Sequence, residues 1–158
     1  MTTQLNPLRT LIVDDSKDEC VLLCAELRDS DTLKVIGFVH DGMEALAYMR
    51  GTDQFKKREI FPYPELLLLD FQMPRCDGIN LLRKLRHQIF RPRVILWSST
   101  LEQVDVPLAL QLGADLVCEK PFGRSELLEI VERFRANLIG RKFAGFGREM
   151  AEPAHVGV

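Results

Sequence analysis

The sequence predicts an α/β domain, a doubly wound parallel sheet of five strands with five helices, and three observations carry that reading. Short apolar runs rich in Leu, Ile and Val alternate five times with segments whose apolar residues recur at helical spacing. The runs are continuous rather than alternating, which marks strands buried on both faces. Strands that alternate with helices form βαβ units, whose right-handed crossovers leave a parallel sheet covered on each side.

The first strand is 8–13 (LRTLIV), ending in Asp14-Asp15-Ser16. Asp15 or Ser16 can cap the following helix, which runs to about residue 29 with Asp18 and Glu19 in a first turn that favours acids. The second strand is 34–39 (KVIGFV), followed by a His40-Asp41-Gly42 turn and a helix over 43–50. Residues 51–64 make a long connection containing Lys56-Lys57-Arg58 and two prolines. The third strand, 65–70, carries Leu66-Leu67-Leu68-Leu69-Asp70 between Pro64 and Pro74. Asp77-Gly78 opens a helix to about 87 with Ile79, Leu82 and Leu85 inward. The fourth strand, 93–97 (RVILW), ends in Ser98-Ser99-Thr100. Leu101, Val104, Leu108 and Leu112 keep helical spacing up to Gly113, so Pro107 must lie in the first turn or kink the helix. The fifth strand, 115–119, ends in Lys120-Pro121, and the last helix spans 125–138 with Leu127, Ile130, Val131, Phe134 and Leu138 on one stripe.

At 158 residues the chain has room for one domain, placed at 1–138, with 139–158 as a C-terminal tail without fixed structure. A net charge of −2 argues against nucleic-acid wrapping as the main task. The four cysteines show no zinc-site spacing and read as reduced thiols. No signal peptide or apolar span occurs, so a cytoplasmic protein with no membrane partner is expected. Arg133, Arg135, Arg141, Lys142 and Arg148, interleaved with phenylalanines, could meet an acidic partner or RNA. Cations at the end of a helix are the commoner reading.

In a parallel sheet all strand ends of one kind lie along one edge, where open α/β sheets hold their chemistry. That edge gathers Asp14 and Asp15 from the first strand, Asp70 from the third, Ser98 from the fourth and Lys120 from the fifth. Alone, Asp70 could equally start a turn. Three converging carboxylates, however, repel one another unless a cation sits among them, and hard oxygen ligands suit Mg²⁺. An ammonium and a hydroxyl opposite would serve the oxygens of a phosphoryl group, and Asp70 is the natural nucleophile through an acyl phosphate.

Val13-Asp14-Asp15-Ser16, Leu69-Asp70-Phe71-Gln72-Met73-Pro74 with Asp77-Gly78, Ser98, and Gly113-Ala114-Asp115 leading to Lys120-Pro121-Phe122 resemble the receiver domain of two-component response regulators, of the chemotaxis-regulator kind. The resemblance covers 8 to about 138 and implies a flavodoxin-like strand order 2-1-3-4-5. It implies Asp70 as phosphoacceptor, Asp15 as a direct Mg²⁺ ligand, Asp14 as a second acid acting largely through water, and the Gln72 backbone carbonyl as the remaining protein ligand. It also implies that the Ser98 hydroxyl moves onto the phosphoryl group, that Lys120 pairs with Asp70 or its phosphoryl oxygen, and that the Lys120–Pro121 bond is cis. The partner expected is a sensor histidine kinase or a histidine phosphotransfer protein. Activity is limited to self-phosphorylation from phosphodonors and autodephosphorylation. The residues after 138 cannot hold a helix-turn-helix, so no DNA-binding domain is expected in this chain. It reads as a stand-alone receiver with an unnamed downstream protein, and a homodimer is left open.

Three departures from the family bear on output rather than chemistry: Val117 where a Tyr or Phe is usual, the long 51–64 connection, and Pro107. A haloacid-dehalogenase-type phosphatase would want a second Asp two positions after the nucleophile, where Gln72 stands. A flavin module would need a phosphate-cradling loop where Asp14-Asp15 would repel phosphate. An unphosphorylated pseudo-receiver usually lacks one of the acids or the lysine, all present here.

Overall fold

The structure, a computed structural model, describes residues 6–143. In chain order the elements are β1 (Leu8–Val13), α1 (Lys17–Glu26), β2 (Leu33–Val39), α2 (Gly42–Arg50), β3 (Leu66–Asp70), α3 (Gly78–Leu85), β4 (Arg93–Ser98), α4 (Val106–Gln111), β5 (Leu116–Glu119) and α5 (Arg124–Phe143). All strand pairings are parallel and the order is β2-β1-β3-β4-β5, the doubly wound arrangement expected.

The four leucines of β3 show why this strand is central. Leu67 and Leu69 face one core, with α2, α3 and α4, while Leu66 and Leu68 face the other, with α1 and α5. None has any exposed surface, so the run must be apolar at every position. Burying one such side chain stabilises by roughly 1.5–3 kcal/mol before entropy is counted. Side-chain caps fix the helix starts: Ser16 accepts from the Glu19 amide, Asp41 from Glu44, Asp77 from Asn80 and Asp105 from Leu108.

The helical spacing over 101–112 does not become one helix, and of the two places expected for Pro107 the structure takes the first turn. A short 3-10 turn over Leu101–Gln103 is followed by α4, capped afresh by Asp105 with Pro107 in its first turn. Pro107 has no N–H and its ring would strike the residue 103 carbonyl of a continuous helix, so the helix must restart beside it. Asp115 stays outside β5, because its carboxylate accepts from the Val94 amide at 2.9 Å and pairs with Arg93. No cis peptide bond occurs among the described residues, so Lys120–Pro121 is trans, against the expectation and in line with the usual X–Pro preference. α5 runs past the expected 138 to Phe143, and the rest of the expected tail, 144–158, lies outside the described residues.

The 51–64 connection is packed. Phe55 is buried, and its ring lies 4.9 Å from Tyr48 and 5.2 Å from Phe61, centroid to centroid. The Arg58 guanidinium donates to the Tyr48 and Met49 carbonyls, each at 2.8 Å, and so caps the C-terminus of α2. Gly51 ends that helix with φ 65, where a Cβ would lie 3.0 Å from the guanidinium.

Candidate functional site

The carboxyl ends of β1, β3, β4 and β5 meet at one edge. The Asp14 amide donates to the Val39 carbonyl, Phe71 to Trp97 and Lys120 to Ser98, so neighbouring strand ends are stitched together there. Asp14 is 1% exposed; its Oδ1 accepts from the Ser16 amide and its Oδ2 from Lys120 Nζ, both at 2.9 Å. Asp70 is 5% exposed; its Oδ1 accepts from the Gln72 amide at 3.2 Å and its Oδ2 lies 3.4 Å from Lys120 Nζ. Asp15 is exposed at the rim, and one carboxylate oxygen from each of Asp14, Asp15 and Asp70 lies within 4.8 Å of the others.

The charges at this edge are unequal. Burial pushes the Asp70 carboxyl up to about 6; Lys120 acts against that, and the neighbouring charge of Asp14 adds to it. Burial alone would lower the Lys120 ammonium, but its hydrogen bonds to Glu19 and Asp14 and the charge of Asp70 outweigh it and hold the lysine above its ordinary value. Lys120 is therefore a fixed cation.

Ser98 is fully buried, and its Oγ accepts from the Thr100 amide at 3.1 Å. The β3–β4 register sets Asp70 against Trp97, one residue before Ser98, so the hydroxyl reaches the same edge while engaged with its own loop. The Gln72 side-chain amide spans to Thr100 Oγ1 at 3.2 Å and Gln103 Oε1 at 2.7 Å, tying the loop after β3 to the loop after β4. Asp15, Phe71, Gln72, Met73, Pro74 and Asp77 line the open cleft above. Next to this lining, Arg75, with φ 66, pairs through its guanidinium with the buried Asp41 carboxylate.

Asp14, Asp15, Asp70, Gln72, Ser98 and Lys120, singled out from the sequence, therefore lie at this edge, and the structure adds a seventh residue. Glu19 Oε2 sits 2.6 Å from Lys120 Nζ. The sequence marked Glu19 only as a first-turn acid, and nothing in its spacing pointed to a lysine 101 positions on.

Three carboxylates with an exposed rim make a hard-oxygen donor set with open positions, which suits Mg²⁺ or a similar divalent cation. One of them, Asp70, is sheltered, nucleophilic when ionised, and faced by a permanent cation.

The family model for the response regulator receiver domain matches residues 10–132. Protein-glutamate methylesterase/protein-glutamine glutaminase 6 of Anaeromyxobacter dehalogenans is 39% identical over 164 residues, covering 96% of this chain and 43% of that protein. The phosphorylated cyanobacterial phytochrome response regulator RcpA superposes with a TM-score of 0.68 at 25% identity, covering 85% of this chain and 96% of that one. The response regulator domain of Thermotoga maritima CheB gives 0.63 at 28% identity, with coverages of 83% and 96%. The chain spans less than half the length of the curated relatives it matches.

Proposed function

The chain belongs to the response regulator receiver family, and from that premise we propose that Asp70 is the residue that accepts the phosphoryl group. The observation that carries this is the meeting of Asp14, Asp15 and the Lys120 ammonium around a buried Asp70 at the carboxyl edge of the sheet.

A phosphohistidine on a sensor kinase or a phosphotransfer protein is the donor this site fits. An ionised Asp70 oxygen attacks phosphorus, a P–O bond forms as the P–N bond breaks, and the leaving imidazole takes up a proton. Lys120 stands 3.4 Å from Asp70 and supplies a positive charge for the phosphoryl oxygens as they arrive. Ser98 gives up the Thr100 amide and donates its hydroxyl to another of those oxygens. A divalent cation, for which Mg²⁺ is the natural choice, would be held by Asp14, Asp15 and Asp70 with the Gln72 backbone carbonyl, and would supply neutralising charge for the phosphoryl group. Asp14 Oδ2 is shared with Lys120, which keeps that carboxylate oriented.

The receiver acts as a switch that gains and loses its own phosphoryl group, and its output is a protein-interaction surface reshaped by phosphorylation. A phosphatase of the haloacid-dehalogenase type is disfavoured because Gln72 stands where the acid/base would be, its amide engaged with Thr100 and Gln103. Among the described residues no helix is long and apolar enough to cross a membrane, and a cytoplasmic kinase domain is the partner proposed.

Incubation with acetyl phosphate and Mg²⁺ is expected to add one phosphoryl mass, absent in Asp70→Asn and in EDTA. An adduct of equal yield in Asp70→Asn would overturn the assignment.

A further inference from the structure

We infer that Glu19 is a resting seat for the Lys120 ammonium, which the lysine leaves when a phosphoryl group arrives on Asp70; this rests on Asp70 being the phosphoacceptor. Lys120 Nζ contacts three carboxylates at unequal distances: 2.6 Å to Glu19, 2.9 Å to Asp14 and 3.4 Å to Asp70. Two of its three N–H groups go to Glu19 and Asp14 as hydrogen bonds, so the ammonium is drawn toward the first turn of α1 and away from the nucleophile.

The two short contacts differ in what it costs to break them. Asp14 is buried, so its contact is the costlier to break unless another cation takes the ammonium's place. The Glu19 side chain is 48% exposed, so water replaces the ammonium readily. Its backbone is held by the helix cap, because the Glu19 amide donates to the Ser16 hydroxyl at 3.2 Å. A dianionic phosphoryl group on Asp70 offers the ammonium a stronger partner on its other side. Glu19 is thus a positioning residue: it stabilises the resting state of Lys120 and so opposes its recruitment.

Replacing Glu19 by Gln keeps the shape and removes the charge that holds the lysine. Beryllofluoride with Mg²⁺ stands in for the phosphoryl group, and its dissociation constant can be measured by calorimetry in wild type, Asp70→Asn, Glu19→Gln and Glu19→Ala. Both Glu19 variants are expected to bind it more tightly, by up to about five-fold, the scale of a half-exposed ion pair. The crystal structure of the wild-type complex is expected to show Lys120 Nζ on the beryllofluoride and no longer within hydrogen-bond distance of Glu19. Unchanged or weaker binding in both variants overturns the inference. So does a tighter-binding variant combined with an intact Lys120–Glu19 pair in the complex, since the gain would then come only from removing a negative charge. If wild type takes up no beryllofluoride, or Asp70→Asn takes it up equally, the phosphoacceptor reading fails first and this inference falls with it.

Discussion

Asp70 carries a conflict that titration should expose. Its carboxyl is pushed up to about 6 by burial, above the value of an unfolded chain near 4. Between those pH values the folded protein binds more protons than the unfolded one, so stability falls as pH rises through about 6 and is fully present only below about 4. The shift corresponds to an order of 2–3 kcal/mol for this sheltered side chain. In EDTA, Asp70→Asn is therefore expected to melt at a higher temperature than wild type at pH 7–8, the gap closing toward pH 4. A gap that is constant with pH would refute the conflict. The same proton competes with a divalent cation, so Mg²⁺ affinity should rise through pH 6. At this scale the sequence was most legible where a motif fixes both residue and place: Asp14, Asp15, Asp70, Ser98 and Lys120 all reach one edge. Glu19 was illegible because its partner is 101 positions away and the pairing depends on side-chain reach across two strand ends.

Elements were legible where periodicity alone decides them. The leucine run of β3 and the stripe of α5 needed no tertiary information. Over 101–112 the apolar spacing is helical while Pro107 restricts where a helix can start; the first-turn place expected for Pro107 is the one found, but spacing alone could not put the helix start at Val106. The 51–64 connection looked like a loop because it lacks periodicity, yet it closes over α2 through Phe55, Phe61 and Arg58. It joins a helix to the start of β3, at the opposite edge from the carboxylates, so its removal should cost stability and not chemistry. Phe55→Ala is expected to destabilise by about 3 kcal/mol in urea titration, as a large-to-small core change does. Acetyl-phosphate labelling of the folded variant should stay within a few-fold of wild type. A folded variant that no longer labels would show that this edge communicates with the site.

Across the whole molecule, phosphorylation at one edge has to alter a distant surface, and that requires an element with two arrangements. In the family the hydroxyl matching Ser98 moves and an aromatic on the fifth strand swings into the space left. Here Val117 occupies that position, buried at 7% exposure, and a β-branched side chain with one stiff torsion cannot make that swing. What can change is the segment after β4. The Ser98 hydroxyl now holds the Thr100 amide, and Thr100 and Gln103 are tethered to Gln72 beside the nucleophile. If, as proposed, Ser98 Oγ is drawn onto a phosphoryl oxygen, the Thr100 amide is released, and the break before α4, already present between Gln103 and Asp105, gives the segment room to re-form without unwinding a helix. Trp97 lies directly before Ser98, fully packed among Cys20, Ile95 and Cys118, and should report the movement by fluorescence. Beryllofluoride with Mg²⁺ is expected to change its emission in wild type and much less in Ser98→Ala. Crystal structures with and without beryllofluoride should differ most over 98–108, with the Val117 rotamer unchanged. Superposition through that segment, together with movement of Val117, would place the switch on β5 instead.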